Sequence, residues 1–204
     1  MRKELEHAPM ADRFRHLETL LGSTRFLNRE GLGKEVPFFI CPFDPRESCE
    51  MEKVSEQLAT KLGQKGISVL NVNLYDLILE ILEKDDDLDW FKENETSLSK
   101  EKLFEELSGI LDVSTVVVPA IADKMQKHGE FHILFLTGIG EVYPYIRSHN
   151  VLNNLQRIAK DQPTLMFFPG RYSHSLEKGA ALDLFSRLQD DRYYRAFNVY
   201  DREV

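Results

Sequence analysis

The chain has 204 residues, of which 42% are hydrophobic and 29% are charged, a balance typical of a packed globular domain. Its formal net charge is −8. A protein that binds duplex DNA usually carries a basic face, so direct nucleic-acid binding by this chain alone is not expected. An acidic surface fits binding to other proteins, or simple solubility.

No apolar run approaches the ~18 residues that a transmembrane helix needs. Residues 1–10 are charged and lack the apolar core of a signal peptide, which favours a cytoplasmic location. The two cysteines, Cys41 and Cys49, are therefore expected as reduced thiols.

The first half of the chain predicts alternating helices and strands. Residues 1–11 are expected to be a flexible terminus, followed by an amphipathic helix over 12–21 and a strand over 36–41. Asp44, Pro45 and Glu47 then provide an N-cap, a proline at the first helical position and a Glu at N3. This helix stops near Gly63, and a strand over 67–73 follows, so the two strands should pair in parallel.

The second half continues the alternation. Residues 83–98 are expected to form an exposed acidic insertion, and Ser99 caps a helix with Leu103, Phe104, Leu107 and Leu111 on one face. Strands are predicted over 131–136, 165–168 and about 195–199. A helix carrying Tyr145 and Leu155, a loop over 169–179 and a short helix over 182–188 lie between them, and 201–204 form a tail.

This order predicts one α/β domain over residues 12–200, with a mostly parallel, doubly wound sheet of about five strands, similar to Rossmann and P-loop NTPase folds. Binding sites in such sheets form at the carboxyl ends of the strands. Three loops qualify by position: residues 42–46, 137–141 and 169–175.

Neither glycine-rich signal in the chain completes a nucleotide-binding motif. Gly33-Lys34 is followed by Glu35 and precedes a strand, while the turn after the first strand has two prolines and no glycine. Gly138-Ile139-Gly140 follows a strand, but Tyr143 replaces the third glycine of the dinucleotide fingerprint, and a tight turn is the favoured interpretation. Degenerate nucleotide or nucleic-acid binding on an ATPase-like fold remains the alternative function.

Metal and catalytic constellations are also incomplete. The six histidines form no metal-binding spacing, although His149 and His174 could meet above the sheet because both follow strand ends. Ser173-His174-Ser175 is not part of a Gly-x-Ser-x-Gly nucleophile elbow. Cys41 ends an apolar strand and is expected to be a small buried hydrophobic residue. We therefore predict no enzyme activity, no catalytic residues, no cofactor and no metal site.

One segment after the glycine pair is rich in polar groups that are unusual on a solvated helix. Asn is a poor helix former, so Asn150 and Asn154 at four-residue spacing suggest side chains with partners. These residues either brace neighbouring loops or form a recognition surface, for which the candidates are Tyr145, Arg147, His149, Asn150 and Asn154.

Four stretches carry a family resemblance: residues 30–47, 67–77, 135–156 (FLTGIGEVYPYIRSHNVLNNLQ) and 163–185. On them the chain resembles the BrxB family of BREX (bacteriophage exclusion) defence proteins, and the resemblance extends from about Asp12 to Tyr200. It implies phage restriction within a multi-gene system that also contains a DNA methyltransferase, a large ATPase and PglZ. It implies no catalytic residues. The implied role is a non-catalytic accessory or assembly component that acts through protein–protein interaction, with PglZ as the first partner to consider.

Overall fold

The computed structural model describes residues 5–31, 37–84, 86–175, 179–186, 188–189 and 196–203. Five parallel strands form the centre of one open sheet: β1 Phe38–Phe43, β2 Val69–Asn73, β3 Ile133–Thr137, β4 Thr164–Ser175 and β7 Phe197–Asn198. Their order across the sheet is β2-β3-β4-β1-β7. The predicted mostly parallel α/β sheet is confirmed.

Helices cover both faces of the sheet. The helices within the described residues are α1 Met10–Leu21, α2 Thr24–Leu27, α3 Ser48–Gln64, α4 Leu74–Lys84, α5 Asp87–Asn94, α6 Lys100–Ile110, α7 Val118–His128 and α8 Ser148–Leu155. Buried residues of α1 and α3 share one hydrophobic cluster, and those of α4, α7 and α8 share the cluster on the opposite face. The sheet is therefore doubly wound.

The central strand β1 shows why its sequence is almost wholly apolar. Phe38 and Ile40 pack into the cluster on one face, while Phe39, Cys41 and Phe43 pack into the other. All of them are buried because successive side chains of a strand point to opposite faces, and both faces here are covered by helices.

The turn after β1 begins with the predicted cap. The Asp44 carboxylate accepts a hydrogen bond from the Arg46 backbone N–H at 2.9 Å, and a 3-10 turn, Pro45–Glu47, leads into α3. Glu47 does not reach back to complete a capping box. Its side chain accepts a hydrogen bond from Arg13 instead.

Two predictions for the region after β4 are wrong. Residues 169–175 are not a loop, because β4 runs on to Ser175. The helix predicted over 182–188 is not found in the described part of that range, because β5 Gly179–Leu184 pairs antiparallel with β4. The short strand β6, Leu188–Gln189, pairs with β5. Gly170 permits this hairpin, since a Cβ there would overlap the carbonyl oxygen of Asp183.

The helix expected around Tyr145 also differs. Residues 139–147 form turns, and α8 begins only at Ser148. Pro144 follows Tyr143, and the residue before a proline is disfavoured in the helical region, so the helix cannot start directly at the glycine pair. Tyr145 and Arg147 consequently lie on an irregular segment between β3 and α8.

The chain ends and the acidic stretch make specific contacts. Leu5 packs against the cluster that contains α1, and the Glu6 carboxylate accepts a hydrogen bond from Asn198 at 3.3 Å. In residues 83–98, Phe91 is buried while Trp90 is 44% exposed. None of the described helices is long and apolar enough to span a bilayer. The predicted division into terminus, domain, insertion and tail stays a prediction.

Candidate functional site

A cleft of about 210 Å³ opens at the carboxyl ends of β1 to β4. After β1 the chain continues into α3 on one face of the sheet. After β3 it continues toward α8 on the opposite face, and β4 continues into the β4–β5 hairpin. This is the topological switch point at which doubly wound sheets bind ligands. All three expected strand-end segments contribute to its lining: Phe43 from residues 42–46, the whole of residues 137–141, and Pro169 from residues 169–175.

The glycine pair shapes one wall of this cleft. Gly138 has a φ of 72°, and a Cβ at this position would overlap the side-chain oxygen of Asn73. A Cβ at Gly140 would lie 2.9 Å from the Pro169 ring and 3.0 Å from the Phe185 ring. Both glycines are therefore required for close packing, as the tight-turn interpretation predicted.

The charges around the cleft are negative. Partial burial, followed by the negative charges of Glu52 and Asp76, raises the pKa of Glu141. Glu52 and Glu141 both line the cleft. These carboxylates lie where a phosphate-binding loop would offer amide donors, so the arrangement opposes an anionic ligand.

The turn after β1 does not compensate for this charge. Pro45 in this turn and Pro42 near the end of β1 have no N–H to donate. The Arg46 guanidinium is bound to Asp44, with Nε and Nη2 at 3.0 and 2.6 Å from the two carboxylate oxygens. A basic group that could hold phosphate is therefore already neutralised within the turn.

The structure places the sequence-derived catalytic and metal candidates apart. Cys41 is fully buried, its Sγ lies 3.4 Å from the Tyr200 hydroxyl, and burial raises the pKa of its thiol to about 12. Ser173 lies on a strand opposite Ala181 rather than in a loop. No three His, Cys, Asp or Glu side chains in the described ranges are grouped to hold a metal ion. The structure describes the backbone of His174 but not its side chain, so the predicted meeting of His149 and His174 lies outside what it describes.

The candidate recognition residues differ in exposure. Tyr145 is half-buried, and the Arg147 guanidinium lies 6.0 Å from the centre of the Tyr143 ring. His149 is only 6% exposed, so it belongs to the packed side of α8. The Asn154 side chain donates to the Asn150 carbonyl at 2.8 Å, which means that the partner of this Asn is its own helix.

Phe104 is a surface residue, although its spacing placed it on one face of the helix with Leu103, Leu107 and Leu111. It is 41% exposed, and its ring stacks on Tyr145 with centroids 5.9 Å apart and planes at 27°. No residue of α6 is fully buried, although Leu103 and Leu107 pack against the core. The spacing of apolar residues could not reveal this, because it does not tell which edge of a wide stripe the rest of the protein covers.

Fold and cleft together define a doubly wound α/β protein with an acidic strand-end cleft and a stacked aromatic pair of which Phe104 is exposed and Tyr145 half-buried. A family model described as BREX protein BrxB matches residues 70–199. A protein named BREX protein BrxB from Bacillus cereus (strain H3081.97) is 35% identical over 184 residues, which cover 87% of this chain and 90% of the relative. The chain belongs to the BrxB family of BREX proteins.

A second relative agrees with this assignment. BREX protein BrxB from Escherichia coli O9:H4 (strain HS) is 29% identical over 189 residues, which cover 92% of this chain and 90% of the relative. No solved structure matches the chain. The resemblance read from the sequence is therefore confirmed at the level of the family.

Proposed function

We propose that this protein is a non-catalytic accessory component of a cytoplasmic BREX anti-phage complex and that it acts by binding other BREX proteins. Family membership supports the setting. The observation that carries the mode of action is the stacked, solvent-accessible pair formed by Phe104 and Tyr145. We call these two residues the aromatic pair.

The aromatic pair has the properties of an interface anchor. Aromatic side chains contribute large contact areas at low entropic cost and are enriched among residues that dominate binding energy. The pair joins two segments that are distant in sequence, α6 and the turn before α8, so its geometry is fixed by the fold before any partner binds. Preorganisation of this kind reduces the entropy lost on association.

Polar groups suited to an interface rim lie next to Tyr145 in sequence. Arg147, two residues on, presents a planar guanidinium beside the Tyr143 ring, and Asn150 is exposed on the first turns of α8. Arg is favoured in interfaces because its fork can make several directed hydrogen bonds. Of the predicted surface, we therefore retain Tyr145, Arg147, Asn150 and Asn154, add Phe104, and remove His149.

PglZ is the partner that we place first, and the other BREX proteins follow. The test is recovery of a tagged chain from cells that carry the whole system, followed by identification of every co-purified protein. We expect at least one BREX protein, PglZ first, to co-purify with the native chain and to be depleted with Arg147→Ala at an unchanged melting temperature. Recovery of the native chain without any BREX protein would contradict the proposal.

A further inference from the structure

We propose that the strand-end cleft binds the side chain of an arginine presented by a partner protein. The cleft has an apolar floor that includes Phe43, Met51 and Phe167, and its rim carries Glu52 and Glu141. This inference rests on the proposed function in one respect only, namely that the arginine comes from a protein.

The size of the cleft suits a single side chain. Its volume of about 210 Å³ is below the roughly 300–1,000 Å³ of typical small-molecule sites. An arginine has a methylene stem that packs on apolar surface and a charged head that stays at a polar rim. The apolar floor can contact the methylene stem, and the acidic rim can contact the guanidinium.

The sign of the charge selects a cation. Glu52, Asp76 and Glu141 form no salt bridge with any described residue, and the negative charges of Glu52 and Asp76 both disfavour ionisation of Glu141. A guanidinium can bridge separate carboxylates through its five donors, which a compact ammonium does less well.

Two other ligand classes fit less well. The carboxylates are not grouped as metal ligands, since no such group exists in the part of the chain that the structure describes. A phosphate would meet negative charge without available donors from the proline-containing turn. An organic cation with an apolar stem matches both the apolar floor and the charge of the rim.

The test uses the full chain labelled with ¹⁵N and the probe N-acetyl-arginine amide. Its control is N-acetyl-citrulline amide, which has nearly the same shape without the charge. We expect the arginine probe to shift the backbone amides of Gly138, Gly140 and Glu141 in a saturable manner, and the citrulline probe to bind about tenfold more weakly.

Matched variants localise the effect. Glu141→Gln and Glu52→Gln should each weaken binding of the arginine probe about tenfold, whereas Glu50→Gln, an exposed carboxylate on the same helix as Glu52, should leave it unchanged. Resonances away from the cleft report whether each variant keeps its fold.

Equal shifts with both probes, or no saturable shift with arginine at millimolar concentration, would overturn this inference. The proposed function is judged separately, because co-purification of BREX proteins through the aromatic pair does not depend on the cleft. If the arginine probe causes no saturable shift in the native chain while BREX proteins still co-purify with it, only the cleft inference is refuted.

Discussion

Arg13 Nη2 donates a hydrogen bond to Glu47 Oε2 at 2.8 Å and so joins the first helix to the turn that follows the central strand. The Arg13 side chain is 3% exposed, while Glu47 retains 34% exposure. The buried guanidinium interacts electrostatically with Tyr200 and Cys41. A buried cation of this kind depends on its anion, because water cannot replace the lost partner.

Glu47→Ala should lower the free energy of unfolding by about 2 kcal/mol, because it leaves the Arg13 charge unpaired. Arg13→Met, which fills similar space without a charge, should be less destabilising. Chemical denaturation of both variants provides the comparison. A larger loss for Arg13→Met would show that the guanidinium stabilises the fold beyond its contact with Glu47.

The two thiols should differ in reactivity. Cys49 is exposed, whereas Cys41 is buried with its thiol pKa raised to about 12. Titration of the folded protein with an aromatic disulfide reagent should therefore detect the Cys49 thiol only, and denaturant should release the second. The folded Cys49→Ser variant should show no fast reaction. A fast reaction in that variant would mean that Cys41 is accessible.

Asp112 should make stability depend on acid pH. Hydrogen bonds from the hydroxyls of Ser114 and Thr115, and from the Thr115 amide, lower its pKa to about 2 from the ordinary 3.8. A lowered folded-state pKa means that the stabilisation is complete above about pH 4 and is lost as pH falls toward 2.

Asp112→Asn should consequently reduce the melting temperature at neutral pH, and its difference from the native chain should shrink between pH 4 and pH 2. Asp123→Asn, an exposed carboxylate on α7, serves as the control. A constant difference across this range would show that the Asp112 carboxylate is not the group responsible.

Nucleotides should not bind to the strand-end cleft. Its carboxylates repel phosphate, and the Arg46 guanidinium is already paired with Asp44. Calorimetric titration with ATP or GTP in the presence of magnesium should give no saturable heat. Micromolar, magnesium-dependent binding would instead support the alternative function of a degenerate nucleotide-binding protein.

The parallel core could be predicted because both faces of its strands are covered. Runs such as residues 133–136 are continuously apolar for that reason, and the Asp44-Pro45 signature marks a local hydrogen bond that needs no tertiary information. The β4–β5 hairpin was missed because Pro169-Gly170 is also a common loop signal. Only the approach of the Asp183 backbone distinguishes the two.

The surface was harder to predict than the core. Phe104 and Leu103 are adjacent on an apolar stripe, yet only Leu103 packs against the core, since tertiary contacts decide which edge is covered. His149 shows the reverse error. Its polar neighbours suggested a surface position, but α8 turns this side chain inward. Spacing along one helix does not contain that information.

The most direct test of the account is the affinity of the chain for its recovered BREX partner, measured alongside the melting temperature for Phe104→Ala and Tyr145→Ala. Each substitution should weaken binding about thirtyfold, the effect of losing an anchor worth ~2 kcal/mol. Phe104→Ala should change the melting temperature little, whereas Tyr145→Ala should also lower it, because Tyr145 packs against the core. Trp90→Ala, an equally exposed aromatic outside the aromatic pair, should bind like the native chain. Native affinity in both aromatic-pair variants would contradict the account.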